Sequence, residues 1–228
     1  MNRQPIESPY YSDTAREAIK TVGHREAIGG MWEEMGQRQF DLLLKQGLDP
    51  GHRMLDIGCG CLRGGLHFVE YLLPGGYFGI DMHQDLLDAG YDIELAAAGL
   101  QDRMPRKNLL CVEDFDATAF GVEFDFALAQ SVFTHLSLNK IRICLERLAP
   151  VMGAGAKFVA TYFPLPASAL SFVPRIHAPT DVTTFADQDP YHYRFEDLAY
   201  LAGQHWQVYN LGDWNHPRGQ HAALFVRR

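Results

Sequence analysis

Cysteine is scarce. The 228-residue chain has four, Cys59, Cys61, Cys111 and Cys144. Cys59 and Cys61 form C-x-C, which is not the C-x-x-C spacing of zinc ribbons or thiol–disulfide sites. No second close pair exists to complete a four-thiolate metal site. The four read as reduced, small hydrophobic side chains, and no metal is expected. Long apolar runs are missing as well: none reaches the roughly 18 residues of a membrane span. The start, MNRQPIESPYYSDTAREA, lacks the apolar stretch of a signal peptide, so a cytoplasmic protein without membrane association is expected. Basic charge is in deficit, with 20 Lys and Arg against 28 Asp and Glu and a net charge of -8. That disfavours nucleic acid, whose phosphates call for a basic surface. Internal repeats and low-complexity tracts are absent.

What is present is an ordinary globular composition, 47% apolar and 21% charged, long enough for one large domain with its own core. Residues 1–48 read as a helical extension expected to serve as a lid. Asp13 or Thr14 is placed to cap a short helix. EAIGGMWEEMGQRQFDLLLKQG then forms a longer one, with Ile28, Met31, Trp32, Met35, Phe40 and Leu43 at spacings of three and four. The pair Gly29-Gly30 predicts a break or a ligand contact within it, and Gly47 a C-terminal cap. From residue 49 strands and helices alternate. RMLDI, YFGID, NLLCVE, FDFALAQ and AKFVATYF read as strands. LRGGLHFVEYLL, QDLLDAGYDIELAAAGL and SLNKIRICLERLAPVM, the last capped by Ser137 or Asn139, read as helices. Such alternation implies an α/β fold, a doubly wound and mostly parallel sheet with helices on both faces. Residues 163–192, with several prolines and no period, are expected to form an irregular insertion at an acceptor site. RFEDLAYLAGQ predicts a helix, and WQVYNLG and HAALFVRR two final strands joined as a hairpin, with an antiparallel edge.

The stretch LDIGCGCLRGG lies where ligands of such sheets bind, between the first strand and its helix. Counted from Gly58, the dinucleotide pattern G-x-G-x-x-G holds at Gly60 and fails at Arg63. Asp56, just before the glycines, is a poor neighbour for a pyrophosphate and suits a ligand with an ammonium group. The second strand ends at Asp81, 23 residues after Gly58, placed to accept hydrogen bonds from ribose hydroxyls. Glu113-Asp114-Phe115 pairs acids with an aromatic ring suited to adenine.

Taken in order, LDIGCGCLRGG, GIDM, CVEDFD and FDFALAQSVFTHL resemble the successive motifs of class I S-adenosylmethionine-dependent methyltransferases. The resemblance covers about residues 50–162, with Leu62 standing where the family pattern has its last glycine. It implies seven strands with the last antiparallel, S-adenosylmethionine as cofactor, and in-line methyl transfer to an O or N of a small molecule or sugar precursor. It also implies the cofactor residues. Gly58 and Gly60 would pass under the methionine and ribose portions, and Asp56 would order the site. Asp81 would bind ribose, Met82 pack on adenine, Asp114 and Phe115 bracket adenine, and Gln130 adjoin the methionine moiety. Arg63 suits the methionine carboxylate, and Trp32 is a candidate aromatic cover for the sulfonium. His135, just past the fourth strand, is the leading candidate base, with His192 and His216 as alternatives. The partner expected is a small-molecule acceptor, and the protein a monomer or homodimer. The competing readings are a non-catalytic module on the same fold and, against Arg63 and Asp56, a nicotinamide-dependent oxidoreductase.

Overall fold

The fold is that of a computed structural model, which describes residues 21–228. The expected cap at Asp13 or Thr14 lies outside those residues. The first described helix, α1 (His24–Ala27), ends at the two glycines. Gly29, Gly30 and Met31 all take positive φ, at 90°, 60° and 49°, a path that suits glycine and breaks the helix where the sequence predicts. Helix α2 (Trp32–Lys45) follows, burying Met35, Gln39, Leu42 and Leu43 on one face, and Gly47 closes it at φ 90°.

Strand β1 (Met54–Ile57), helix α3 (Gly65–Tyr71), strand β2 (Tyr77–Asp81) and helix α4 (Gln84–Ala89) form the first crossover units. Helix α4 runs on through a π-helical turn, Gly90–Leu95, and an α-helical end, Ala96–Ala98. Strands β3 (Leu109–Cys111) and β4 (Phe124–Ala129), helix α5 (Leu138–Leu148) and strand β5 (Met152–Pro164) complete the parallel half. The Ser137 hydroxyl caps α5 by accepting from the Lys140 N–H, as one of the two expected caps.

The stretch 163–192 is more ordered than its composition suggests. Strands β6 (Arg175–His177) and β7 (Val182–Thr184) pair as a separate antiparallel ribbon. Strand β8 (His192–Tyr193) runs parallel beside the end of β5. Helix α6 (Phe195–Leu201), β9 (Trp206–Asp213) and β10 (His221–Arg227) follow. The sheet order is β3-β2-β1-β4-β5-β10-β9, seven strands, with short β8 as an eighth alongside β5. β10 is antiparallel to both neighbours and lies inside the sheet. The two final strands thus form the expected hairpin with antiparallel pairing, β10 lying between β5 and the edge strand β9.

Alternation along the strands divides the core in two. Leu55, Ile57, Phe158, Ala160, Ala223 and Phe225 face α5 and α6. Met54, Phe126, Leu128, Val159 and Leu224 face the other side, with Leu42 and Leu43 of α2 and Phe68 of α3. The N-terminal extension therefore contributes to one of the two cores. Among the four cysteines, Cys59, Cys61 and Cys144 are buried free thiols, whereas Cys111 is exposed. No described helix is long and apolar enough to cross a membrane.

Candidate functional site

A cavity of about 170 Å³ opens at the carboxyl ends of β1, β2 and β4. Its floor is the glycine loop. Gly58 and Gly60 adopt φ of 68° and 54°. A Cβ on Gly58 would come within 2.6 Å of Val132 Cγ2, and one on Gly60 within 3.1 Å of Ile28 Cγ2. Leu62 carries the same left-handed turn, φ 68°, and is fully buried. The backbone shape is thus kept without the third glycine, at a local cost of about 1–3 kcal/mol.

Asp81 holds this loop in place. Its Oδ2 accepts from the Gly60 N–H at 2.8 Å and its Oδ1 from the His83 N–H at 2.9 Å. Burial raises its pKa, and those backbone hydrogen bonds oppose the rise. Asp56 lies below, its Oδ2 accepting from the Tyr77 hydroxyl at 2.8 Å. Burial lifts Asp56 to about 7, the Asp81 charge adds to the rise, and the Tyr77 hydrogen bond and Arg63 charge oppose it.

Arg63 is 8% exposed and lines the cavity. Its guanidinium donates to the Gly30 carbonyl at 2.7 Å and to Gln130 Oε1 at 3.1 Å. Gln130 Oε1 also accepts from Gln39 Nε2 at 3.0 Å. The Arg218 guanidinium donates to the Gly29 carbonyl at 3.0 Å. The strap Ile28–Gly30 is therefore tied across the cavity mouth from two sides. A third tie is remote: buried Glu94, on the π-turn, takes both Nε and Nη2 of Arg25 at 2.7 Å and also contacts His24. Burial works against the Glu94 charge, but the Arg25 and His24 hydrogen bonds together bring its pKa below the usual value.

Of the residues singled out in the sequence, Asp56, Gly58, Gly60, Arg63, Asp81, Met82, Phe115, Gln130 and His135 line this one cavity. Four do not. Trp32 stacks under Arg25, 4.3 Å from its guanidinium carbon, and Ile28 is the strap residue lying on Gly60. Asp114 is exposed and paired with Arg147 at 3.5 Å, and Glu113, also exposed, is the acid of this stretch that borders the cavity. His192 has both ring nitrogens engaged, by Thr184 Oγ1 and the Ser171 carbonyl, each at 2.9 Å. Thr184 also bonds His177, so this chain of side chains organises the insertion. His216 sits behind Gln130 at 3.3 Å, and its Nδ1 accepts from the Arg218 N–H at 3.1 Å. Burial, then the charges of Arg218, Arg63 and Arg38, push His216 down to about 3, so it is neutral and a weak base at pH 7.

His135 differs from these. It lies on the 3₁₀ turn Phe133–His135, lines the cavity, and its Nδ1 is 2.6 Å from Asp189 Oδ1. Asp189 comes from the insertion and is buried. A carboxylate beside Nδ1 favours the tautomer that carries its proton there and fixes the orientation of the ring. Asp189 carried no local signal in the sequence, 54 residues from His135. Gln39 was equally hidden, as a polar position inside an amphipathic helix. Ser131, at φ 59° and lining the cavity, belongs to the same polar cluster: its hydroxyl donates to Gln220 Oε1 at 3.0 Å.

No protein-family profile matches the sequence. Solved structures do resemble it. Magnesium protoporphyrin IX methyltransferase from Synechocystis, with SAM bound, superposes with a TM-score of 0.63 at 13% identity, covering 95% of this chain and 96% of that one. An S-adenosylmethionine-dependent methyltransferase from Clostridium acetobutylicum gives 0.61 at 10% identity, over 95% and 98% of the two chains. An O-methyltransferase family protein from Burkholderia thailandensis gives 0.66 at 14% identity, over 97% of this chain and 64% of that one. With the sheet order and the glycine loop described above, the chain has the fold of the S-adenosylmethionine-dependent methyltransferases.

Proposed function

We propose that the protein is an S-adenosylmethionine-dependent methyltransferase acting on a hydroxyl group of a small molecule. The cavity fits the cofactor on two counts. Its floor turns through Gly58 and Gly60 at positive φ, with no side chain on the loop at either position, and its walls carry acids and an arginine suited to an amino-acid moiety and a ribose. In this assignment Asp56 faces the ammonium side, Arg63 with Gln130 the carboxylate, and Asp81 the ribose. Met82 and Phe115 flank the adenine, with Glu113 bordering the cavity in the place expected of Asp114. When bound, the cofactor supplies a methyl group on a sulfonium, already activated for in-line displacement without a metal.

The remaining work falls to the chain. The single observation that carries the hydroxyl assignment is the His135–Asp189 pair at the cavity wall. A neutral amine presents its own lone pair, whereas a hydroxyl gains from losing its proton as it attacks. His135 Nε2 would take that proton, and Asp189 would hold the ring in the required tautomer and balance its charge. The strap Ile28–Gly30, part of the proposed 1–48 cover, would exclude water above the reacting atoms.

Calorimetry tests the cofactor half: micromolar binding of S-adenosylhomocysteine with no binding of NAD is expected, and the reverse would overturn it. Turnover across hydroxyl- and amine-bearing acceptors tests the other half. His135→Ala and Asp189→Asn are expected to lose turnover by about 100-fold or more while keeping cofactor affinity. Tight cofactor binding with no turnover on any acceptor would favour the non-catalytic module.

A further inference from the structure

One side chain of the cavity does nothing for the fold as it stands. His83 follows Asp81 and Met82, is 6% exposed, and lines the cavity. Neither ring nitrogen has a hydrogen-bond partner among the described residues. It occupies the N-cap position of α4 without capping it through its side chain. A Ser, Thr, Asp or Asn there would satisfy the helix end; a buried histidine that neither caps nor pairs is unfavourable for the apo protein. Such an orphan beside a ligand cavity calls for a partner that arrives with the ligand.

The neighbours say what that partner lacks. Asp81 and Glu113, the carboxylates at this end of the cavity, only accept hydrogen bonds. Each Asp81 oxygen already holds one backbone N–H, from Gly60 and His83 itself. A ribose diol presents hydroxyls that both donate and accept. Asp81 can take a hydroxyl proton, but it cannot serve the hydroxyl oxygen. An imidazole N–H can. Resting on the cofactor reading above, we propose that His83 is a specificity-determining residue that hydrogen-bonds the ribose edge of the adenosyl group, working with Asp81 as donor to its acceptor.

The test is a titration of wild type and His83→Phe with S-adenosylhomocysteine and with its 2′-deoxy and 3′-deoxy analogues. Wild type is expected to prefer the full ribose over at least one deoxy analogue by about tenfold or more. His83→Phe is expected to lose most of that preference while binding the affected analogue as wild type does. Melting curves check that the variant is folded. His83→Asn, smaller and still able to donate, serves if Phe does not fold, and is expected to retain more discrimination than His83→Ala. An equal loss on all three ligands, or no loss, overturns the role of His83 alone. Failure of wild type to bind any adenosyl ligand overturns the cofactor reading and this role with it.

Discussion

At the end of β1, burial holds Asp56 at about 7, far above its ordinary 3.8, and two opposite pH effects follow. Between those values the folded protein binds a proton that the unfolded chain releases. This contribution to stability is therefore fully present below about pH 4 and is lost as pH rises through about 7. Ligand binding runs the other way if the ammonium of the cofactor requires the carboxylate. Affinity for S-adenosylhomocysteine is expected to rise by up to about tenfold per unit as pH climbs toward 7, then level off. Calorimetry in buffers of different ionisation enthalpy should register proton release below pH 7, and Asp56→Asn should abolish it. A second residue-scale prediction concerns Gly58. Alanine there meets Val132 at 2.6 Å in a left-handed conformation, so Gly58→Ala is expected to destabilise by about 1–3 kcal/mol and to weaken cofactor binding, read by melting and calorimetry.

Among the elements, the strap and the π-turn matter most, and they are coupled. The π-turn Gly90–Leu95 carries Glu94, which grips Arg25 and His24 at the head of the strap. Removing one partner from a buried ion pair strands the other, at a cost of about 3–5 kcal/mol in full burial and less here, where Arg25 is half exposed. Glu94→Ala is expected to raise hydrogen exchange across residues 24–30 and to weaken cofactor affinity about tenfold, with little change in the global melting temperature. Unchanged exchange would mean that Arg63 and Arg218 alone hold the strap. The helix break at Gly29-Gly30 was legible, because two glycines are poor helix formers. The π-turn was not: an extra residue in a helical turn leaves the apolar spacing nearly intact.

For the whole molecule, the described part of the extension packs into the core of the sheet domain. Leu42, Leu43 and Leu48 share a core with Met54, Phe68 and Leu128. Deleting residues 1–48 is expected to yield an aggregating protein rather than a folded domain without its cover, as size-exclusion chromatography would report. The proposed role of this segment as a lid belongs to its strap, not to α2.

Local pattern was enough for the alternation of elements, the loop at Gly58 and Gly60, and the acid at Asp81, since each depends on neighbours in the chain. Fold class followed from that order, because parallel strands joined by helices have few ways to pack. Tertiary structure alone decided which histidine faces the cavity. His135, His192 and His216 are alike as letters; Asp189 orients the first, Thr184 and Ser171 absorb the second, and burial among arginines neutralises the third. It also decided that Ile28 rather than Trp32 lies on the glycine loop, and that Glu113 rather than Asp114 borders the cavity. Orientation and charge at a site are set by groups brought together from distant parts of the chain, and no local spacing encodes them.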